Sequence, residues 1–176
     1  MRYRIFGLKR CVLRACVALL VALPMIDHAS AQALDARTEH TATALSTGKV
    51  LIAGGNDASG NRLATAAVYD PVTKTTTAVA NMMTPRTSHA AVTLPNGKVL
   101  VIGGMGPTGA PITGCELFDP ATNQWSSAGT MTTARMGHVA AFLSQSGKVL
   151  VAGGRTTSGL TSSAEYYDPA TNTWSR

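Results

Sequence analysis

Cysteine is scarce in this 176-residue chain. Of its three cysteines, Cys11 and Cys16 lie within the first 33 residues and only Cys115 lies beyond them. One cysteine cannot build an internal disulfide framework. Charge is thin at 14% of residues. The apolar run "ACVALLVALPM", Ala15 to Met25, holds eleven residues, well short of the ~20 that a membrane-crossing helix needs. No segment sustains a 3.6-residue apolar period, which excludes amphipathic helices. The chain also contains no G-x-S-x-G, no H-E-x-x-H and no phosphate-cradling P-loop. Those absences leave the usual hydrolase, zinc-protease and nucleotide-binding signatures without a carrier.

What is present begins with an export signal. Arg2, Arg4, Lys9, Arg10 and Arg14 precede the apolar run, and the small-residue stretch "HASAQA", His28 to Ala33, follows it. Positive region, short apolar core and A-x-A site in that order read as a secretory signal peptide over residues 1–33, cleaved after Ala31 or Ala33. The mature protein is then expected to be secreted or periplasmic, without stable membrane insertion. Cys16 is not a lipidation site on this reading, because Arg14 stands just before it and the apolar core extends after it. Five of the 15 basic residues and one of the 9 acidic residues lie in the leader. The mature part keeps ten against eight, or +2, so the overall +6 is no argument for nucleic-acid binding.

The mature region says nearly the same thing three times. "TGKVLIAGG", "NGKVLVIGG" and "SGKVLVAGG" start at Thr47, Asn96 and Ser146. Arg37, Arg86 and Arg135 recur at intervals of 49, as do His40, His89 and His138, and the Asp-Pro pairs at Asp70, Asp119 and Asp168. The double glycines Gly54-Gly55, Gly103-Gly104 and Gly153-Gly154 step by 49 and then 50. The third copy gains one residue before Lys148 and loses it again after Gly154, as a module with tolerant loops would. Each copy reads as four short strands. "HAAVTL" leads into Asn96-Gly97, a hairpin signal because both residues tolerate positive φ. "KVLVI" is a continuous β-branched run, expected to be covered on both faces. Its double glycine marks a place where a Cβ would strike a neighbouring backbone. Asp119-Pro120 suits a type I turn, with Asp bonding its own backbone. The fold class is all-β, with blades expected at about 37–85, 86–134 and 135–176.

The combination Arg-x-x-His, GKVLV-x-GG, E-x-(Y/F)-D-P-A-T-N-x-W and Met-x-x-x-Arg resembles the kelch repeat, in the exported bacterial form related to the galactose oxidase propeller. The resemblance covers Arg37 to Arg176 and implies three four-stranded blades of a kelch-type β-propeller, an incomplete ring. The first copy departs from the pattern: Ala67 stands where Glu116 and Glu165 occur, and Thr76 where Trp125 and Trp174 occur. Three copies leave two blade faces uncovered. Either the ring continues in a longer chain, which the missing Met-x-x-x-Arg element after Trp174 favours, or copies self-associate to complete it.

A binding or interaction module is the function this architecture implies. The loops after the glycine pairs differ between copies: "NDASGNRL", "MGPTGAPI" and "RTTSGL". Variable loops on a rigid scaffold carry binding. Asn56, Asp57, Arg62, Met105 and Arg155 are therefore candidate ligand residues, with Arg86 and Arg135 at the border, for a protein or carbohydrate ligand. Three histidines at one repeat position invite a metal reading, but the arginine three residues before each assigns them to the scaffold. No metal and no other cofactor is expected, and no catalytic residue is assigned. Trp125 and Trp174 are expected between blades, and Glu116 and Glu165 against an arginine or a backbone amide. The alternatives are a fragment of a galactose oxidase-like copper-radical oxidase, with its catalytic residues beyond Arg176, and a structural repeat segment of a larger surface protein.

Overall fold

The computed structural model describes residues 35–176; the leader expected at 1–33 lies outside them. The described residues form strands and turns, with no helix. The first blade is an antiparallel sheet of β1 (Thr41–Ala44), β2 (Val50–Ala53), β3 (Ala66–Asp70) and β4 (Thr75–Val79), in that order. The second repeats it with β5 (Ala90–Thr93), β6 (Val99–Ile102), β7 (Gly114–Asp119) and β8 (Gln124–Thr130). The third has β9 (Val139–Leu143), β10 (Lys148–Ala152), β13 (Ala164–Asp168) and β14 (Thr173–Ser175). Its loop contains a small hairpin of β11 (Arg155–Thr156) and β12 (Gly159–Leu160). β1 lies beside β5 and β5 beside β9, so the first strand of each blade is nearest the axis. The all-β propeller architecture read from the repeat is present.

The turns follow from their residues, with one correction. Gly97 has φ +81° but Asn96 is not in the left-handed region. The Gly97 amide donates to the Leu94 carbonyl at 2.9 Å, and the Lys98 amide to Asn96 Oδ1 at 3.1 Å. This is a type I turn closed by a left-handed glycine rather than a two-residue primed turn. In the third blade the extra residue is absorbed between Leu143 and Lys148, where the Ser146 and Gly147 amides both donate to the Leu143 carbonyl. At the Asp-Pro turns, the Asp119 carboxylate accepts from the Ala121 amide and Asp168 from Ala170. Lys49–Asp70, Lys98–Asp119 and Lys148–Asp168 pair across the same end at 3.2, 3.1 and 3.7 Å.

Apolar alternation sorts the strands into faces. Leu51, Ala53 and Met82 of the first blade pack against Val99, Val101 and Phe118 of the second. Leu100, Ile102 and Cys115 of the second pack against Val149, Val151 and Tyr167 of the third. Each Leu, Ile, Val, Met or Phe side chain among them contributes about 1.5–3 kcal/mol when removed from water. The expectation that the GKVLV strand is covered on both faces holds for β6, whose four residues are all buried. It does not hold for β2 and β10, where burial alternates. The reason is topological: a blade lies on only one side of each.

Blade contacts explain why glycine pairs and histidines share one period. A Cβ on Gly54 would sit 2.5 Å from the Arg86 carbonyl oxygen and 2.8 Å from His89 Cε1 of the next blade. On Gly103 it would meet the Arg135 carbonyl at 2.8 Å and His138 Cε1 at 3.2 Å. The second glycine of each pair makes room within its own blade: Gly104 faces the Thr87 carbonyl and His89 Cβ at 2.6 and 2.8 Å. The Gly55 amide donates to the Arg86 carbonyl at 2.9 Å, and Gly104 to Arg135 at 3.0 Å.

Candidate functional site

The blade end that carries the glycine pairs also carries the variable loops. Main chain near the axis is linked from blade to blade there. Glu39, Ser88 and Gly137 occupy one repeat position and all adopt positive φ, at 54°, 51° and 59°. The Ser88 amide donates to the Glu39 carbonyl at 3.2 Å, and Gly137 to the Ser88 carbonyl at 2.8 Å. A left-handed non-glycine residue is unusual and strained, and such residues persist where the surroundings over-determine them. The Glu39 carboxylate accepts from Thr87 Oγ1 at 2.9 Å and Ser88 Oγ at 2.6 Å. Those hydrogen bonds, Ser88's foremost, hold it below the usual carboxylate range.

Above this strip lies a cleft of about 570 Å³, lined by Glu39, Ser88, Met105, Met136, Arg155 and Leu160 among others. Met105 is fixed by paired backbone bonds with Thr87 at 3.1 and 2.8 Å, and Met136 by the equivalent pair with Arg155 at 3.0 and 2.8 Å. Leu160 is 91% exposed at the end of β12. Two thioethers and an isobutyl group line it together with one acid and one guanidinium. Methionine adapts its shape to what it meets, which suits a surface receiving irregular apolar groups.

The predicted ligand residues separate into three groups. Met105 and Arg155 line the cleft. Arg62 stands behind Met105, with Nη2 3.2 Å from its sulfur. Asn56 pairs with Thr38 and Arg62 in its own loop, and the Asp57 carboxylate is occupied by the Ser59 and Asn61 amides at 2.8 Å. Arg86 and Arg135 do not border the ligand face. They are 1% and 0% exposed, because each Nη1 clamps two carbonyls of its own blade and each Nη2 pairs with a glutamate. Arg86 meets Glu116 at 2.6 Å and Arg135 meets Glu165 at 3.0 Å. Those glutamates also accept the linker amides of Met83 and Thr84, and of Thr132 and Thr133. Burial would raise the Glu165 carboxyl, but the Thr132, Arg135 and Thr133 donors outweigh it and hold it low.

Glu39, Ser88 and Met136 were not singled out from the sequence. Their signal is the pair of positions just before each repeated histidine, Thr-Glu, Thr-Ser and Met-Gly, which varies between an invariant arginine and an invariant histidine. The histidines themselves are scaffold. His89 Nε2 lies 2.8 Å from Thr41 Oγ1 of the preceding blade. No group of three metal-ligating side chains occurs among the described residues. Trp125 and Trp174 reach back to the preceding blade, with Nε1 donating to the Ala80 and Ala128 carbonyls at 2.7 and 2.8 Å. Cys115 is buried between blades, its thiol pushed up to about 12 by burial. Among the described residues no helix is long and apolar enough to cross a membrane.

No curated protein matches the chain. The family model described as the KLHDC2/KLHL20/DRC7 kelch-repeats domain matches residues 39–176. The match spans all three blades, and the chain belongs to the kelch-repeat domain family.

Proposed function

We propose that this chain is an exported protein-interaction module that receives a segment of a partner protein in the cleft above Glu39. The observation that carries the reading is the juxtaposition of Met105, Met136 and the exposed Leu160 with Glu39 and Arg155 in one cleft. An apolar side chain of the partner fits among the thioethers, and flanking charges meet the acid and the guanidinium. Interaction is the general role of kelch-repeat domains, which supports a binding activity rather than catalysis. Among the described residues the lining has no aromatic ring on which a sugar could stack, which favours a protein ligand over a carbohydrate. Export rests on the leader at 1–33.

The test selects peptides from a random library on the immobilised wild-type chain and measures their affinity for Met105→Asp and Leu160→Asp. Binding at least tenfold weaker to both variants is expected. Selected peptides that bind the variants equally well would place the ligand elsewhere. For export, the mature chain recovered from a secreting host should begin at Gln32 or Leu34, and an intact Met1 would contradict it.

A further inference from the structure

We infer that the cleft is a site of reversible oxidation, in which a hydroperoxide converts the Met105 thioether to one sulfoxide epimer and so releases the segment held there. The release rests on the interaction reading above; the oxidation does not. Five methionines lie among the described residues, and their surroundings divide them. Met82 and Met131 are 4% and 2% exposed, sealed in the contacts between blades. Met83, on the linker between the first two blades, is 58% exposed. Met105 and Met136 are half-buried and line the cleft. A small oxidant reaches the last three and is kept from the first two, because susceptibility follows exposure.

Met105 is set apart by what touches its sulfur. Arg62 reaches from the loop of the first blade into that of the second and sets Nη2 3.2 Å from Met105 Sδ. A backbone bridge to Asn56 fixes Arg62 at its base. At its tip, a Cβ on Gly109 would lie 3.5 Å from Nη2, so the second loop closes over the guanidinium. The methionine main chain is held as well, by its two bonds to Thr87. A thioether sulfur is a weak acceptor with two lone pairs. The guanidinium N–H engages one of them, which leaves the other as the one that solvent in the cleft can reach.

The reaction follows from that geometry. The free lone pair of Sδ attacks one peroxide oxygen, and the S–O bond forms as the O–O bond breaks. The proton on the transferred oxygen passes to the departing hydroxide, which leaves as water. Sulfur gives up two electrons and the peroxide takes them. The two lone pairs of a methionine sulfur lead to opposite configurations, so blocking one gives one epimer. The new oxygen points away from Arg62, into the space where the partner's apolar side chain packs. A polar oxygen pressed against an apolar group without a donor is costly. Oxidation of Met136 adds a second oxygen to the same lining. Sulfoxide reductases restore the thioether, which makes the change reversible.

Hydrogen peroxide is the probe. The folded chain is oxidised and digested, and its peptides are treated with one or the other of the two epimer-specific methionine sulfoxide reductases before mass spectrometry. Sulfoxide is expected at Met83, Met105 and Met136, with Met82 and Met131 spared. One reductase should clear about nine-tenths or more of the Met105 sulfoxide and the other little, whereas each should clear about half at Met83. Arg62→Ala should bring Met105 to about half and half as well. The intact oxidised chain should bind its selected peptides at least tenfold more weakly and recover with the reductases. A Met105→Leu, Met136→Leu chain, with peptides selected on it, should not respond to peroxide. An even mixture of epimers at Met105, no oxidation there while Met83 reacts, or binding indifferent to the sulfoxides would each overturn the proposal. If the reduced wild-type chain selects no peptide, the interaction reading fails and the release with it, while the epimer ratio still decides the oxidation site.

Discussion

His89 and His138 pass most of their surface into the blade contacts without carrying charge. Burial first, and then the neighbouring guanidiniums of Arg86 and Arg135, lower them to about 3 and about 4. An unfolded chain takes up these protons near pH 6.5, so between that pH and the folded values the unfolded state binds more protons and stability falls as the pH falls. At up to about 1.4 kcal/mol per unit for each histidine, urea denaturation should show a loss of about 2–4 kcal/mol between pH 7.5 and 5. The loss should shrink in a His89→Gln, His138→Gln variant, and a flat wild-type profile would contradict the assignment. The glycine pairs give a second prediction at this scale. Gly103→Ala meets both left-handed strain and the Arg135 carbonyl, and should cost about 2–4 kcal/mol. Gly153→Ala meets the strain alone, and should cost about 1–2 kcal/mol. Equal costs would mean that the next blade is not what forbids the Cβ.

Between elements, the glutamate of β7 or β13 acts as a staple, joining the arginine that enters its blade to the amides of the linker before it. Glu116→Gln leaves Arg86 buried without its counter-charge and should cost about 3–5 kcal/mol by chemical denaturation; a change below about 1 kcal/mol would show that the pair is dispensable. The existence and order of the strands could be read from the sequence, because period-two segments and Asp-Pro or Asn-Gly turns are local signals. The glutamate's pairing with a scaffold arginine or amide could be read too, since a repeated pair implies a repeated contact. Arg86 and Arg135 misled as ligand residues because position beside a variable loop does not reveal which way a long side chain turns. The cleft was half legible: Met105 and Arg155 sit in loops that differ visibly, whereas Glu39 and Met136 are hidden between invariant neighbours. The β11–β12 hairpin in the third loop left no clear mark, being only two residues on each side.

Across the whole molecule, the same side chain has different worth in different blades. Leu100 lies in the sealed contact between the second and third blades, and Leu150, its repeat equivalent, is only partly buried on the outer face of the third. Leu100→Ala should cost about 2–5 kcal/mol. Leu150→Ala should cost less than about 1.5 kcal/mol, and chemical denaturation of the two variants checks the difference. A reversal would mean that the outer face is not the open one. The turn between Leu143 and Lys148 has a different kind of consequence. It takes in a residue that the other copies lack, while β9 and β10 keep their pairing from Leu143↔Lys148 to Val139↔Ala152. That rim, at the far end from Glu39, is where length can be spliced in freely: an epitope or fluorophore grafted at Ser144–Gly147 leaves the opposite mouth unobstructed.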